Sequence, residues 1–304
     1  MTINFFKKIT PIIIFTFFFS CEKEITLELN NPEESLCLNC VMEAGNDSVL
    51  FHVTKTQFIE DTEEIEPIKN ADIELRKDGQ LLTGIVYKGK GKYLLEHTPV
   101  EGSEYEIKVN VDGYKPLFAK SKVPLNPVAD VSFKRDTMYD ESWAKGYYTK
   151  ARLFIQLQDL PAKDYYWFMR AFMRSRGGKQ YGSYGIAYQT DRLFFDEFNR
   201  YYDQGYNYPF TNYDYIGALR LDDENILNGE IHFSMNTGNQ PTLFVINADE
   251  NFDRYYKSSI KQFLIYEYDQ LPVFEPVQIY SNVENGFGIF GSIAVTRFYF
   301  NEEL

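Results

Sequence analysis

From Leu36 to Val123 apolar and polar residues alternate in short runs. Tyr105, Ile107, Val109 and Val111 take turns with Glu104, Glu106, Lys108 and Asn110, the period-two pattern of a half-buried antiparallel strand. Ala71, Ile73 and Leu75 repeat it and lead into Asp78-Gly79, a pair suited to the positive-φ positions of a tight hairpin. Leu81 to Tyr87 is then the returning strand. About seven strands of this kind in fewer than a hundred residues predict an immunoglobulin-like or prealbumin-like sandwich over residues 36–124.

Val123-Pro124-Leu125-Asn126-Pro127 interrupts the pattern, because proline cannot donate to a ladder. A domain boundary is expected there, with a larger β-rich part over 128–304. Its strands are marked by Val131 and Phe133, by Ala151, Leu153, Ile155 and Leu157, and by Tyr165 to Arg174. Ile231, Phe233 and Met235 alternate again, and Leu243 to Asn247 reads as a buried strand. Residues 175–215 lack clean alternation and predict long aromatic loops. From Asp249 to Leu264 the period changes: Phe252, Tyr255, Tyr256, Ile260, Phe263 and Leu264 follow spacings of three and four, which predicts one helix over 249–264 with Asp249 as its N-cap. Ile289 to Phe300 closes the chain as an apolar strand. The fold class is therefore mainly β, a sandwich followed by a larger antiparallel part with one long helix.

The start of the chain is built differently. Lys7 and Lys8 precede an apolar run from Ile9 to Phe19, with Ser20 just before Cys21. This is the layout of a secretory signal over residues 1–20. The run is about eleven residues, whereas a helix needs roughly 20 to span a bilayer. Phe18-Phe19-Ser20-Cys21 resembles the lipobox of bacterial lipoproteins, with Phe18 where leucine is usual. Acyl chains on Cys21 would anchor the protein without a transmembrane span, since two or more chains hold stably to a bilayer. Residues 21–35 then form a tether. Its Glu22-Lys23-Glu24 resembles the signal that sends Bacteroidota lipoproteins to the outer face of the outer membrane. An ordinary signal cut that leaves Cys21 as a spare thiol is the alternative.

Charge narrows the partners. The 304 residues carry 31 Lys+Arg against 44 Asp+Glu, a formal net charge of −13, so no basic face is dense enough for a nucleic-acid partner.

Candidate chemistry is sparse. Cys37 and Cys40 are spaced like a redox or zinc pair, but they sit in Leu36-Cys37-Leu38-Asn39-Cys40-Val41-Met42, which reads as a strand. Three residues along a strand span about 10 Å and reach opposite faces, too far for a disulfide, and a second cysteine pair for zinc is lacking. His52, His97 and His232 stand apart from any ligand spacing. Gly89-Lys90-Gly91 reads as a hairpin turn rather than a phosphate cradle. The acidic runs Glu60, Asp61, Glu63, Glu64, Glu66 and Asp222-Asp223-Glu224 lack the frame that wraps calcium. These readings lead to the expectation of no catalytic residues, no metal and no cofactor.

Tyrosines are the exception. Tyr181, Tyr184, Tyr188, Tyr201, Tyr202, Tyr206, Tyr208, Tyr213 and Tyr215 crowd into the presumed loops. Tyrosine offers a flat apolar face and a polar tip at low entropy cost. The loops could pack on their own sheet, dock a partner protein or stack on sugar rings, and these alternatives stay open.

The order of features resembles a Bacteroidota lipoprotein family, domain of unknown function 4249. The resemblance rests on Gly89-Lys90-Gly91-Lys92-Tyr93, Val111-Asp112-Gly113-Tyr114, Phe252-Asp253-Arg254-Tyr255-Tyr256, Glu275-Pro276-Val277 and the run from Ser281 to Gly291. It implies an outer-membrane lipoprotein often associated with TonB-dependent transporters, and it brings no catalytic residues. Asp47-Ser48-Val49 and Asp136-Thr137-Met138 resemble the O-glycosylation sites of exported Bacteroidota proteins. The resulting expectation is a lipid-anchored, surface-exposed accessory subunit of an outer-membrane β-barrel complex. A surface glycan-binding lipoprotein is the alternative.

Overall fold

The computed structural model describes residues 34–57, 65–140, 146–158, 165–176, 179–186, 216–219, 226–235, 240–267 and 278–300. The segment expected as a signal, Cys21 and most of the segment expected as a tether lie outside the described residues. Everything below concerns the unit from Glu34 onward.

Eight strands form between Leu36 and Lys122: β1 (Leu36–Glu43), β2 (Ser48–Lys55), β3 (Asp72–Lys77), β4 (Gln80–Leu82), β5 (Val86–Gly89), β6 (Lys92–Glu96), β7 (Glu104–Asn110) and β8 (Leu117–Lys122). They divide into two facing layers, β1-β2-β6-β5 and β4-β3-β7-β8. Alternation decides which side chains meet between them. Leu36, Leu38, Cys40 and Met42 of β1 are buried and their neighbours half-buried. They share a core with Phe51, Leu75, Tyr105, Ile107 and Leu117.

The Asp78-Gly79 hairpin forms as expected, with both residues at positive φ and Lys77 paired to Gln80. The returning strand from Leu81 to Tyr87 does not run through. It stops at Leu82, turns at Gly84 (φ 101°) and enters the other layer as β5. A single strand there would have kept Val86 and Tyr87 beside β3. Splitting it instead pairs them with Leu94 and Tyr93 of β6.

The remaining strands are β9 (Val128–Asp140), β10 (Gly146–Gln158), β11 (Tyr165–Arg176), β12 (Lys179–Ile186), β13 (Ile216–Leu219), β14 (Ile226–Met235) and β15 (Gln240–Ala248). Helix α1 (Glu250–Glu267) and β16 (Phe287–Tyr299) follow. Part of the segment expected as loops is strand: β12 pairs with β11, placing Tyr184 opposite Ala171 and Tyr181 opposite Arg174.

The last strand shapes the whole unit. β16 lies parallel to β1, Cys37 opposite Phe287, and antiparallel to β15 on its other side. One sheet of nine strands therefore runs β12-β11-β15-β16-β1-β2-β6-β5, with β13 beside β11. The prolines at 124 and 127 do end the ladder after β8, but the sheet itself continues across that point through β16. Phe290 faces the sandwich core. Phe298, eight residues on and on the same face, packs with Leu153, Ile155, Tyr166 and Val245 against the three-stranded sheet β14-β10-β9. Helix α1 packs on β16 from the opposite face, where Trp167 of β11 meets Phe252 edge-on with ring centroids 6.0 Å apart.

Helix α1 starts where expected. The Asp249 carboxylate accepts from the Phe252 main-chain N–H at 2.8 Å, which satisfies a donor the first turn leaves open. Glu250 and Asp253 place further acids in that turn, as the helix dipole favours. Among the described residues no helix is long and apolar enough to cross a membrane.

Candidate functional site

Of the tyrosines singled out by their density, Tyr181 and Tyr184 lie on β12. Tyr188, Tyr201, Tyr202, Tyr206, Tyr208, Tyr213 and Tyr215 fall outside the described residues, as do Cys21 and Asp222-Asp223-Glu224. Cys37 and Cys40 are both free thiols on β1, with Cys40 inside the core and Cys37 on the other face. Burial pushes both thiols up from their ordinary range, the reverse of an activated cysteine. His52 is held to the Lys90 carbonyl at 3.0 Å and His97 to the Tyr105 hydroxyl at 2.9 Å. Among the described residues no cluster of His, Cys, Asp and Glu could hold a metal ion. Lys55 joins Glu34 at 3.0 Å and Glu66 at 2.9 Å, and Glu34 also accepts from the Tyr114 hydroxyl. The point where the tether enters the fold is thus tied to β2 and to the β7–β8 turn.

Two arrangements emerge that the linear sequence did not announce. The first is a polar seam between β8, β16 and the start of α1. Ser121 Oγ donates to Asp249 Oδ2 at 2.7 Å and lies 2.7 Å from Ser292 Oγ, which in turn lies 2.9 Å from the Lys122 carbonyl. The Asp249 main-chain N–H donates to the Ser292 carbonyl at 2.9 Å. Burial pushes the Asp249 carboxyl up to about 6, against hydrogen bonds from Phe252, Ser121, Ser292 and Asn251 that favour the ionised form. Nearby, Asn247 Nδ2 donates to the Leu125 carbonyl at 3.0 Å and Thr296 Oγ1 to the Pro127 carbonyl at 2.8 Å. The linker is therefore fastened along its length. The only sequence signal was Asp249 as a helix cap.

The second is a groove of about 430 Å³ on the outer face of β3-β7-β8. Register brings opposite charges side by side: Glu74 faces Lys108, Arg76 faces Glu106, and Glu106 faces Lys120. Ion pairs follow at 3.5 Å for Arg76–Glu74 and 3.9 Å for Lys108–Glu74, with Lys120–Glu106 closer still. Phe118 lies next to Lys108 and is 39% exposed. One wall is the segment before β16. Glu284 exchanges main-chain hydrogen bonds with Phe118. Asn282 is clamped by bonds to the Phe290 carbonyl at 2.8 Å and from the Phe290 N–H at 3.0 Å.

A family model matches residues 22–298 of the chain. The chain belongs to the family described as Domain of unknown function (DUF4249). No curated protein matches it. Glu275-Pro276-Val277 lie outside the described residues, but several of the other residues that carried the DUF4249 resemblance now have physical roles. Gly91 closes the β5–β6 hairpin at positive φ, where a Cβ would come within 2.4 Å of the Val53 carbonyl. Gly288 (φ 107°) lets β16 approach β1, since a Cβ there would lie 2.1 Å from the Leu38 carbonyl. Asp253 accepts from the buried Trp167 indole N–H at 3.0 Å, and the Arg254 guanidinium sits 4.2 Å over the Tyr280 ring. Among these residues Gly91 shapes the β5–β6 hairpin, Gly288 fits β16 against β1, and Asp253 and Arg254 hold α1 to its neighbours.

Proposed function

We propose that this protein is a lipid-anchored, surface-exposed accessory subunit of an outer-membrane barrel complex that works with a TonB-dependent transporter. The observation that carries the reading is Phe18-Phe19-Ser20-Cys21 behind a basic start and an eleven-residue apolar run, with Glu22-Lys23-Glu24 after it. Acyl chains on Cys21 would confine the β-rich body to the membrane plane and raise its effective concentration near a barrel partner, as tethering does in general. Purification of the tagged protein from its membranes in mild detergent, followed by mass spectrometry, tests the reading. A barrel protein enriched with it is expected; recovery of the lipoprotein alone overturns the proposal.

The density of tyrosines favours a second reading, a surface glycan-binding lipoprotein that uses the residues from Tyr181 to Tyr208 as a stacking platform. It expects Tyr201→Ala or Tyr206→Ala to weaken binding of a soluble glycan while leaving the melting temperature unchanged. A fall in melting temperature instead, or no binding across a glycan panel, rejects it.

A further inference from the structure

We propose that the groove on the outer face of β3-β7-β8, lined by residues other than the tyrosines singled out above, is a binding site for a neutral sugar chain. Its size, about 430 Å³, falls in the range of small-ligand sites. Its charge is the first discriminating feature. Three acids, Glu74, Glu106 and Glu284, and three bases, Arg76, Lys108 and Lys120, line it, so the lining is balanced inside a protein whose formal charge is −13. A balanced lining exerts no net field to gather an anion or a cation. It does set donors beside acceptors, which is what a ring of hydroxyls requires, because each hydroxyl both donates and accepts.

The second feature is Phe118. It is 39% exposed at the foot of the wall formed by Asn282 and Glu284, and its ring gives the apolar C–H face of a pyranose a surface to cover. The third is the state of the ion pairs. Their side chains are 34% to 67% exposed, and exposed pairs contribute little to stability. Exchanging one such contact for a charge-assisted hydrogen bond to a hydroxyl therefore costs the fold little and orients the ligand. Strand register fixes where these groups stand, and the two bonds between Asn282 and Phe290 fix the wall, so the site is formed before a ligand arrives.

The test is isothermal titration of the full chain with maltohexaose, cellohexaose, xylohexaose and mannohexaose as neutral probes. Hexagalacturonate and a sulfated chondroitin oligomer serve as charged probes. At least one neutral oligomer should bind. Phe118→Thr, which keeps a β-branched residue in the strand, should weaken it about tenfold, the loss expected for one stacked ring. Phe154→Thr changes a ring of nearly equal exposure, 38%, on β10 and should leave binding unchanged. Lys120→Gln, at an exposed position, supplies a second weakening variant should Phe118→Thr lower the melting temperature. Binding of charged probes only, or of none, overturns the proposal. So does neutral binding that survives both Phe118→Thr and Lys120→Gln, or that Tyr201→Ala abolishes while these leave it intact. None of these outcomes bears on the barrel partner, which co-purification reads separately.

Discussion

The sandwich core and the seam beside it are two interiors built on opposite terms. Between the sandwich layers the walls are largely apolar: Leu38, Phe51, Leu75, Leu117 and Phe290 are fully buried. Along the seam of β8, β16 and α1 the contact is made by Ser121, Ser292, Asp249 and Asn247, polar side chains that are themselves buried or nearly so. An apolar core accepts many partners of suitable volume. A buried polar set accepts only the arrangement that satisfies each donor and acceptor. Among the described residues the sandwich holds the larger apolar cluster, and the seam specifies where the helix and the linker must sit.

The apolar side breaks hardest. Phe290 is fully buried in the core and sits on the strand that joins the two ends of the chain. Phe290→Ala is expected to cost about 3 to 5 kcal/mol through lost transfer energy and the cavity left behind, measured by urea unfolding. A loss under about 1 kcal/mol would mean that β16 is not packed as described.

The polar side should show itself through pH. Ser121 and Ser292 bring two hydroxyl protons to three contacts, with Asp249, with each other and with the Lys122 carbonyl. A proton on Asp249 would supply the third. This agrees with a carboxyl raised from 3.8 to about 6 by burial. Because the folded state holds that proton more tightly than the unfolded chain, its contribution to stability is complete below pH 3.8. It is lost as pH rises through about 6. Asp249→Asn keeps a good N-cap and carries no titrating group. The difference in unfolding free energy between wild type and variant should therefore move by up to about 3 kcal/mol in favour of the variant between the acid and neutral limits. Parallel pH profiles for the two proteins would remove Asp249 from the account.

These two interiors were not equally legible in the sequence. Period-two alternation located the strands, and the shift to spacings of three and four located the helix, because each depends on neighbours along the chain. Asp249 could be read as a cap for the same reason. Its bond to Ser121, 128 residues away, could not, since a lone serine carries no pattern. The parallel pairing of β16 with β1 was equally hidden: both strands looked buried, and nothing local to either says which strands they join. The split at Gly84 was missed because Leu81 to Tyr87 keeps a strand-like composition through the break. The groove combines charges from β3, β7 and β8 that read singly as solvated strand faces.

A smaller effect sits where the two interiors approach the helix. Trp167 is fully buried, packs on Phe252 and donates its indole N–H to Asp253, which also meets Lys257 at 2.9 Å. Trp167→Phe retains an aromatic ring but removes a hydrogen bond to a charged group, with an expected cost of about 2 kcal/mol. Thermal unfolding of the variant in parallel with Phe252→Leu would separate the lost bond from lost packing. Equal effects would assign the whole contribution to packing.

The finest comparison lies within one strand. Cys40 is 3% exposed among the core side chains, while Cys37 is half-buried on the other face and accepts a hydrogen bond from Asn39 Nδ2 at 3.4 Å. Serine is nearly isosteric with cysteine but carries a hydroxyl that needs a partner. Cys40 packs among the buried hydrophobic side chains of the core, so Cys40→Ser should cost about 1 to 2 kcal/mol. At Cys37 the new hydroxyl keeps Asn39 Nδ2 as a partner, so Cys37→Ser should cost less, about 0.5 kcal/mol. Native-state alkylation gives a second readout, in which Cys37 reacts slowly and Cys40 only on unfolding. Equal costs and equal reactivity would mean that β1 does not present these residues to opposite sides, and the register that sets β16 beside it would fall with that result.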